Sequence, residues 1–532
     1  MNEHHFASRR SPVLARHGMV ATSQPLAAMA GLRVLMEGGS AADATVTTAA
    51  MLNVVEPMST GVGGDCFALI CDASTGRVSA LNGSGRAPVA FTWQEAQRLG
   101  LLEIPFTGAL PVTVPGTVSG WEALLERFGT MSLGECLAPA IRTAEEGFPV
   151  SERISAAWRD AEEKIAEEPE ASRVYLPAPR PGELHRAPDL ARTLRSIAEG
   201  DSEAFYLGPL AANIASFVQE KGGYLTTDDL AAHTPSWSDP ILTTYRGVEV
   251  LEHPPNGQGL AALLALNMLE AYDLGTMDFF DPNRWHLEIE AVRLAMVDAG
   301  RYVADAEVAD VPVSALLSKE YAVRRRKLID PEKALRLAAP GQPEHKDTVY
   351  LTVVDGQGNA VSFISSLYHS FGSGLVVPGT GISLQNRGAC FTLEEGHPNA
   401  LDGGKRPYHT IIPAMALRDG VLWLSFGVMG GFMQPQGHVQ VLSNMVDCGM
   451  DAQAALDAPR FRVDERGAPQ VAIEEGVPDE TRQALAGMGH DVRTEVALGS
   501  GFGGGQIIAV DADTGVLEGG SDPRKDGCAM GF

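Results

Sequence analysis

The segment HKDTVYLTVVDGQGNAVSF, residues 345–363, constrains the fold of this chain more than any other stretch. The run VYLTVV after Thr348 predicts a strand buried on both faces. The sequence DGQGN, residues 355–359, predicts a hairpin turn into a second strand that begins at Ala360. A charged loop ends at Asp347, so a hydroxyl residue with an acidic neighbour occupies the first position of a core strand.

The hydroxyl of Thr348 is a candidate nucleophile, but its ordinary pKa is far too high without an adjacent base. The sequence offers no G-x-S-x-G elbow to supply one. Cutting the Asp347–Thr348 bond would expose the α-amine of Thr348, a group that titrates at about 7.7–8.0 and is tethered to the nucleophile. This pattern is consistent with self-cleavage, in which Thr348 attacks the carbonyl of Asp347. The alternative is that Thr348 is an ordinary strand residue, since threonine is favoured in strands.

The distribution of predicted elements indicates one interleaved core. Helical patterns dominate before residue 331, yet residues 67–85 and 236–255 each predict a strand pair. Residues 121–221 have helical periodicity and many charges, and we expect them to form a surface excursion. Residues 331–347 have a linker-like composition. After residue 348 the patterns predict strands at 348–355, 360–366, 380–385, 411–418, 421–428, 505–511 and 515–519, with helices near 434–447 and 451–457.

Charge and composition exclude several classes of function. The 532 residues carry 41 Lys plus Arg against 67 Asp plus Glu, a formal net charge of −26, which disfavours nucleic acid and anionic membranes as partners. The six cysteines form no CxxC pair, which argues against a zinc site or a disulfide framework. No apolar run is long enough to span a bilayer. Residues 1–10 lack the apolar region of a secretory signal, so we expect a cytoplasmic location.

A series of motifs resembles the γ-glutamyltranspeptidase family nearly end to end. This resemblance implies an α+β fold, the four-layer αββα sandwich of the N-terminal nucleophile hydrolases, built as one interleaved core. The order and number of the motifs make the assignment specific. They are GGSAADATV (38–46), MSTGVGGDCFALI (58–70), LPVTVPGTVSGWEALLERFG (110–129), DTVYLTVVDGQGNAVSF (347–363), FGSGLVVPGTGISLQNRG (371–388), KRPYHTIIPAMALRDG (405–420), FGVMGG (426–431), DAPRF (457–461) and GGSDPRKDG (519–527).

The resemblance implies roles for four residues. Thr348 matches the family's nucleophile, and Ser366 matches a hydroxyl that orients the new α-amine. Gly430 and Gly431 match the pair whose N–H groups form the oxyanion hole, where glycine allows close approach to the substrate oxygen; taken alone they would indicate only a turn. Cleavage would leave a large fragment, 1–347, and a small fragment, 348–532, that stay associated. No metal and no organic cofactor is implied.

The family's pattern for recognising a γ-glutamyl group is not intact. The arginine that grips the substrate α-carboxylate falls at about Trp93, and nearby Arg86 is either its substitute or a structural residue. The segment 391–407 is short, so the lid over the site is expected to be missing. Further departures are Tyr368 for an asparagine, Arg387 for a glutamine, Cys390 for the aspartate that binds the α-ammonium, and His409-Thr410 for a serine pair.

These departures favour a pocket for a carboxylate or a carbonyl over one for an ammonium group. Arg387 either binds substrate in bidentate fashion or pairs with a nearby carboxylate, and His409 is either a substrate ligand or a packed histidine. His438 is expected to be structural.

The sequence therefore predicts a self-processing threonine amidohydrolase that cleaves small-molecule γ-glutamyl amides such as glutathione through an acyl-enzyme. Two alternatives stay open. The substrate is another small acidic amide, such as oxamate or a glutaryl or cephalosporin side chain, or the chain is a non-catalytic relative.

Overall fold

A computed structural model describes residues 10–336, 348–463 and 469–532. Asp347, on one side of the predicted cleavage bond, lies outside these residues, whereas Thr348 lies within them. The strands, in chain order, are β1 (Val13–Ala15), β2 (Met19–Thr22), β3 (Asp65–Asp72), β4 (Arg77–Gly83), β5 (Phe148–Pro149), β6 (Leu184–His185), β7 (Ser236–Ser238), β8 (Ile241–Tyr245), β9 (Val248–Glu252), β10 (Val349–Val354), β11 (Ala360–Ser366), β12 (Val376–Val377), β13 (Ile382–Ser383), β14 (Ala414–Arg418), β15 (Val421–Met429), β16 (Phe461–Val463), β17 (Gln470–Glu474), β18 (Asp491–Glu495), β19 (Gly504–Val510), β20 (Leu517–Ser521) and β21 (Cys528–Gly531).

Two stacked seven-stranded sheets hold the core. The first, which we call the nucleophile sheet, has the order β21-β2-β10-β11-β3-β4-β7, and the second, the facing sheet, has the order β1-β20-β19-β15-β14-β9-β8. All neighbouring strands within both sheets are antiparallel. Both of these sheets contain strands from before and after residue 348, so the two parts of the chain share one core.

Helices cover the outer face of each sheet. The nucleophile sheet is covered by α1 and α2, and the facing sheet by α12, α16 and α17. This four-layer arrangement confirms the αββα sandwich expected from the resemblance. The helices are α1 (Pro25–Met36), α2 (Ala41–Val55), α3 (Trp93–Arg98), α4 (Thr117–Phe128), α5 (Leu133–Glu146), α6 (Glu152–Asp160), α7 (Glu162–Ala166), α8 (Pro169–Tyr175), α9 (Pro188–Tyr206), α10 (Pro209–Glu220), α11 (Thr227–Ala231), α12 (Gly259–Leu269), α13 (Pro282–Tyr302), α14 (Val313–Leu316), α15 (Lys319–Arg326), α16 (Met433–Asp447), α17 (Ala452–Asp457) and α18 (Asp479–Gly487), with 3₁₀ turns at Leu274–Thr276, Arg387–Cys390 and Ser500–Phe502.

The hairpin of β10 and β11 forms as its sequence predicts. Its turn is closed by Asp355, whose Oδ1 accepts the N–H groups of Gln357 and Asn359, both at 3.0 Å. Gly358 has φ 86°, a left-handed conformation that glycine adopts at little cost. Both strands are buried along their whole length, as expected for central strands with a helix layer on one face and a sheet on the other.

The helical region 121–221 is more than the surface excursion expected from its charges. Helix α5 packs on α2 and on α9, which adds a helical layer outside α2. Trp121 and Trp158 are fully buried in this layer. The expectation was wrong because charged residues cover only the outer face of these helices, while the periodic apolar positions bind them to the core.

In the described parts of the chain, the longest apolar stretches of helix are too short to cross a bilayer. The cytoplasmic location stays a prediction.

Candidate active site

Thr348 immediately precedes β10, a central strand of the nucleophile sheet. Its side chain is buried, and its Oγ1 lies 3.2 Å from Oγ of Ser366. The β10–β11 register pairs Val349 with Ser365, which places Thr348 opposite Ser366 at the end of the hairpin. Ser366 Oγ also accepts the N–H of Tyr368 at 2.8 Å. The antiparallel ladder therefore brings together the two hydroxyls that the sequence places 18 residues apart.

Tyr368 has a strained backbone at this position. Its φ is 80°, in the left-handed region that a bulky non-glycine residue rarely adopts. Such a conformation costs about 1–3 kcal/mol and persists only where the surroundings fix it. The hydrogen bond to Ser366 and the packing of the Tyr368 ring against Arg387 are among the contacts that hold it.

Gly430 and Gly431 lie between β15 and α16, with φ of 124° and 59°. Their carbonyls accept the N–H groups of Met433 and Gln434 at the start of α16, at 3.0 and 3.2 Å. Toward the residues that the structure describes, neither glycine donates its own N–H in a hydrogen bond. Two backbone donors in the turn just before α16 are thus available for a ligand.

The packing of the two sheets brings these glycines to the end of the sandwich where Thr348 lies. Strand β10 crosses β15 face to face, since a Cβ on Gly427 would come within 2.5 Å of the Tyr350 ring. Thr352 donates to Ser425 across the same interface. Two residues before Tyr350 is Thr348, and three residues after Gly427 is Gly430, so both leave the sheets at one end.

Arg387 is a fully buried cation with part of its hydrogen-bonding capacity unused. Its Nη1 donates to Thr410 Oγ1 at 2.8 Å, and its Cζ lies 4.3 Å from the centroid of the Tyr368 ring. Its Nε and Nη2 have no hydrogen-bond partner among the described residues. Buried donors of this kind are costly unless a ligand or water satisfies them.

Asp65 and His409 form a buried pair within reach of the charge of Arg387. Oδ2 of Asp65 lies 3.1 Å from His409 Nε2, and Oδ1 accepts from the Gly85 N–H at 3.0 Å and from Gln385 Nε2 at 2.9 Å. Burial lowers the pKa of His409 well below its usual range, helped by the nearby charge of Arg387. Burial raises the pKa of Asp65 to about 6, although Arg387 pulls it down. A neutral His409 therefore donates its Nε2 proton to Asp65.

His409 is thus engaged by the protein, as in the packed-histidine interpretation, while Thr410 contacts Arg387 directly. His409 Nδ1 accepts the N–H of Ile411 at 3.4 Å, so both ring nitrogens have partners. His438, on α16, lies in the core with Nδ1 2.7 Å from Glu252 Oε1, in agreement with a structural role.

Arg86 is held by an acidic neighbour. Its Nη2 lies 2.6 Å from Glu307 Oε2, and the other oxygen of Glu307 binds Arg406 at 2.6 Å. The structure therefore gives Arg86 the ion pair that a structural arginine would have. Its predicted role in substrate binding stays a prediction.

The short segment 391–407 folds back as a compact loop tied by Trp93. The indole Nε1 of Trp93 donates to the carbonyl of Leu393 at 2.9 Å, and Asn399 Nδ2 donates to the carbonyl of Cys390 at 2.7 Å. Trp93, at the position where the family's arginine is expected, therefore anchors this loop. Cys390 Sγ lies 3.9 Å from Arg387 Nη1, where the resemblance expects an acidic side chain.

Two buried polar residues of the site were not singled out from the sequence. Asp65 is the first residue of the buried strand β3, and a polar residue at the start of a core strand is the same kind of signal that marks Thr348. Gln258, which contacts Thr410 and Gly431 through its side-chain amide, gives no local signal at all. Together the site places a buried hydroxyl, two open backbone donors and a buried guanidinium at one end of the sandwich.

Comparison with known proteins agrees with this geometry. Residues 27–532 match the family described as Gamma-glutamyltranspeptidase. A glutathione hydrolase-like YwrD proenzyme of Bacillus subtilis is 39% identical over 527 residues, 98% of this chain and 99% of the relative. An oxamate amidohydrolase proenzyme of Klebsiella pneumoniae is 36% identical over 532 residues, with the same two coverages of 98% and 99%. The crystal structure of cephalosporin acylase from Bacillus halodurans is 46% identical and superposes with a TM-score of 0.94, covering 100% of this chain and 99% of that one. The chain belongs to the γ-glutamyltranspeptidase family.

Proposed function

We propose that the chain is a self-processing threonine amidohydrolase that cleaves γ-glutamyl amides such as glutathione through an acyl-enzyme. The observation that carries the proposal is the buried Thr348 hydroxyl beside Ser366, at the end of the sandwich that also presents the N–H groups of Gly430 and Gly431. Relatives covering the whole chain are named as hydrolase proenzymes, in agreement with a precursor that is cut.

Processing would divide the chain into a large fragment, 1–347, and a small fragment, 348–532. Thr348 Oγ1 attacks the carbonyl carbon of Asp347, the acyl group moves from nitrogen to oxygen, and water hydrolyses the ester. The two fragments stay together because β10 pairs with β2, and β11 pairs with β3, across the cut. Separating them would break these backbone hydrogen bonds inside a buried sheet.

Turnover uses the α-amine that processing exposes. The amine takes the proton of the Thr348 hydroxyl as Oγ1 attacks the substrate amide carbon, and Ser366 helps to orient this amine. The N–H groups of Gly430 and Gly431 stabilise the negative oxygen of the tetrahedral intermediate. The leaving amine departs with the proton, and water activated by the same α-amine then releases the acid and restores Thr348.

Arg387 would hold a carboxylate at the far end of the acyl group. Its unpartnered Nε and Nη2 lie on adjacent parts of one planar group, the arrangement that binds a carboxylate through two parallel hydrogen bonds. The α-carboxylate of a γ-glutamyl group is such a ligand.

A second candidate is hydrolysis of amides whose acyl group carries a carboxylate but no ammonium, such as glutaryl amides or oxamate. The observation that favours it is Cys390, which lies beside Arg387 at the position where the family's aspartate would bind the α-ammonium group. The oxygens of Asp65 already accept three hydrogen bonds from the protein, so this residue is a poor substitute.

The deciding experiment compares γ-glutamyl-p-nitroanilide with glutaryl-p-nitroanilide, which differ only in the α-ammonium group, and measures ammonia released from oxamate in parallel. We expect hydrolysis of the γ-glutamyl substrate by wild-type protein that runs as two bands on a denaturing gel. Thr348→Ala should run as one full-length band and be inactive. Faster release from the glutaryl substrate or oxamate would favour the second candidate. A full-length wild-type band with no turnover of any substrate would refute both and favour a non-catalytic protein.

A further inference from the structure

Gln258 makes contacts that connect the two halves of the candidate site. We propose that Gln258 is a positioning residue. It fixes the distance between the N–H groups of Gly430 and Gly431, which stabilise the oxyanion, and Arg387, which binds the carboxylate, and thereby selects the length of the acyl group. The inference rests on the proposed function, because it assigns that spacing to the hydrolysis of an acyl group with a terminal carboxylate.

One side-chain amide holds two backbone carbonyls. Nε2 of Gln258 lies 2.6 Å from the carbonyl oxygen of Thr410 and 2.9 Å from that of Gly431. A primary amide has two N–H groups, so each carbonyl receives one. Gln258 is fully buried, and both bonds therefore form away from water.

The amide has little freedom to move from this position. Its Oε1 accepts the hydroxyl of Tyr408 at 2.9 Å, and the backbone N–H of Gln258 donates to the carbonyl of His409 at 3.0 Å. Gln258 also stands directly before α12, whose helical backbone fixes its Cα. Turning the amide over would bring Oε1 against two carbonyl oxygens, which excludes the flipped orientation.

The two carbonyls that Gln258 binds lie in different parts of the site: the Gly431 carbonyl in the oxyanion turn, and the Thr410 carbonyl next to the partner of Arg387. The Gly431 carbonyl belongs to the peptide unit that follows the one carrying the Gly431 N–H. Fixing this carbonyl limits rotation of the Gly431 backbone, and so the direction in which the Gly431 N–H points. Fixing the Thr410 carbonyl places the Thr410 hydroxyl, to which Arg387 donates. The distance between the reacting carbonyl and the far carboxylate of a bound acyl group is thus set through one side chain.

Gln258→Met tests this assignment, because methionine has a similar length and no hydrogen-bonding amide. Gln440→Met is the matched control. Gln440 is also a buried glutamine, and its Nε2 donates to the carbonyls of Gln436 and Phe461, both at 3.0 Å, while its Oε1 accepts the Phe461 N–H at 2.9 Å. Both variants lose two donated bonds and one accepted bond, but only Gln258 contacts the site.

The first readout is the affinity of processed protein for succinate, glutarate and adipate by calorimetry, which needs no turnover. These dicarboxylates are the acids that hydrolysis of the corresponding amides would leave bound between the glycine N–H groups and Arg387. We expect wild type and Gln440→Met to prefer one chain length, and Gln258→Met to bind that ligand roughly 10-fold more weakly with the preference lost.

The second readout is kcat/KM on the p-nitroanilides of the same acids, where Gln258→Met should lose about 100-fold and Gln440→Met less than about threefold. Compared with wild type at the same pH, Gln258→Glu should be least active at high pH and should approach the wild-type rate as the pH falls, since a protonated carboxyl again donates to one carbonyl. The rates of both proteins fall at low pH, where the Thr348 α-amine is protonated.

Equal losses in Gln258→Met and Gln440→Met, or an unchanged preference for chain length in Gln258→Met, would overturn the inference. Neither result would touch the proposed function, which fails instead if Thr348→Ala retains wild-type turnover.

Discussion

Replacing Arg387 by methionine should separate substrate selection from stability. The side chain is fully buried, and the structure shows which of its interactions are satisfied. Its Nη1 donates to Thr410 Oγ1 at 2.8 Å and contacts Cys390 Sγ at 3.9 Å, and the guanidinium stacks on Tyr368, while Nε and Nη2 have no partner among the described residues. Methionine fills similar space without the charge. We expect the variant to fold, to process itself and to lose its discrimination between acyl groups.

The size of the effect follows from the two open donors. A hydrogen bond to a charged group contributes about 1.5–3 kcal/mol, so two bonds to a substrate carboxylate contribute roughly 3–6 kcal/mol. At about 1.4 kcal/mol for each factor of ten, the lower limit corresponds to a loss of roughly 100-fold in kcat/KM. Folding of the free protein gains nothing from these donors, because no described residue accepts a hydrogen bond from them. The Thr410 bond, the Tyr368 stacking and the attraction to Asp65 are lost, but the cost of burying the guanidinium is removed as well. The free energy of unfolding should therefore fall by less than about 2 kcal/mol.

The assay compares glutaryl-p-nitroanilide with pentanoyl-p-nitroanilide, which has the same number of acyl carbons and no carboxylate. In wild type the glutaryl substrate should be strongly preferred. In Arg387→Met its kcat/KM should fall by about 100-fold or more, while the value for the pentanoyl substrate should change less than about threefold. A parallel fall for both substrates in a protein with an unchanged melting temperature would refute the assignment of Arg387 to carboxylate recognition.

Three further changes test other parts of the site and core. Ser366→Ala should slow turnover at least 10-fold and Ser366→Thr should restore it, as followed by p-nitroaniline release, because only the hydroxyl contacts Thr348 at 3.2 Å; equal activity of the two variants would contradict this role. Gly430→Ala should lose at least 10-fold in kcat, because φ is 124° there and the new Cβ would lie 3.0 Å from Gly503 Cα. The control Gly476→Ala has a similar φ of 108° but open space around it, so it should be strained but active. Similar kcat values for the two variants would count against the oxyanion assignment. Burial together with Arg293 lowers the pKa of His490 to about 3. Below about pH 6.5 the unfolded chain therefore binds a proton that the native chain does not. As the pH decreases from 6.5, the free energy of unfolding should decrease by up to about 1.4 kcal/mol per pH unit. Urea denaturation at pH 7 and pH 5 should show a loss about 2 kcal/mol smaller in His490→Asn, and identical losses would exclude this contribution.

The parts of the fold that were predictable are those with local signals. The apolar run of β10 and the turn closed by Asp355 form where the sequence predicts them. The four layers followed from motif order and resemblance. The packing of residues 121–221 did not follow, because the depth of Trp121 and Trp158 depends on which neighbouring helix covers them.

The sequence predicts contacts within one hairpin, but not the contacts that join distant parts of the candidate site. Thr348 and Ser366 meet through one hairpin, which the strand pattern already indicated. Gln258 acts on Thr410 and Gly431, which lie more than 150 residues further along the chain, and no local pattern marks such a contact. The two interpretations of Arg387 also needed the structure, since only the contacts of the folded chain show whether an acidic partner occupies its donors.

The most direct test of the central claim is the intact mass of the purified protein, measured before and after a brief incubation with a slowly hydrolysed acyl anilide and an acid quench. We predict two chains, the smaller beginning at Thr348, and a gain of one acyl group on that smaller chain at Thr348 alone. A single full-length chain that turns over the substrate, or an acyl group attached to another residue, would contradict the account.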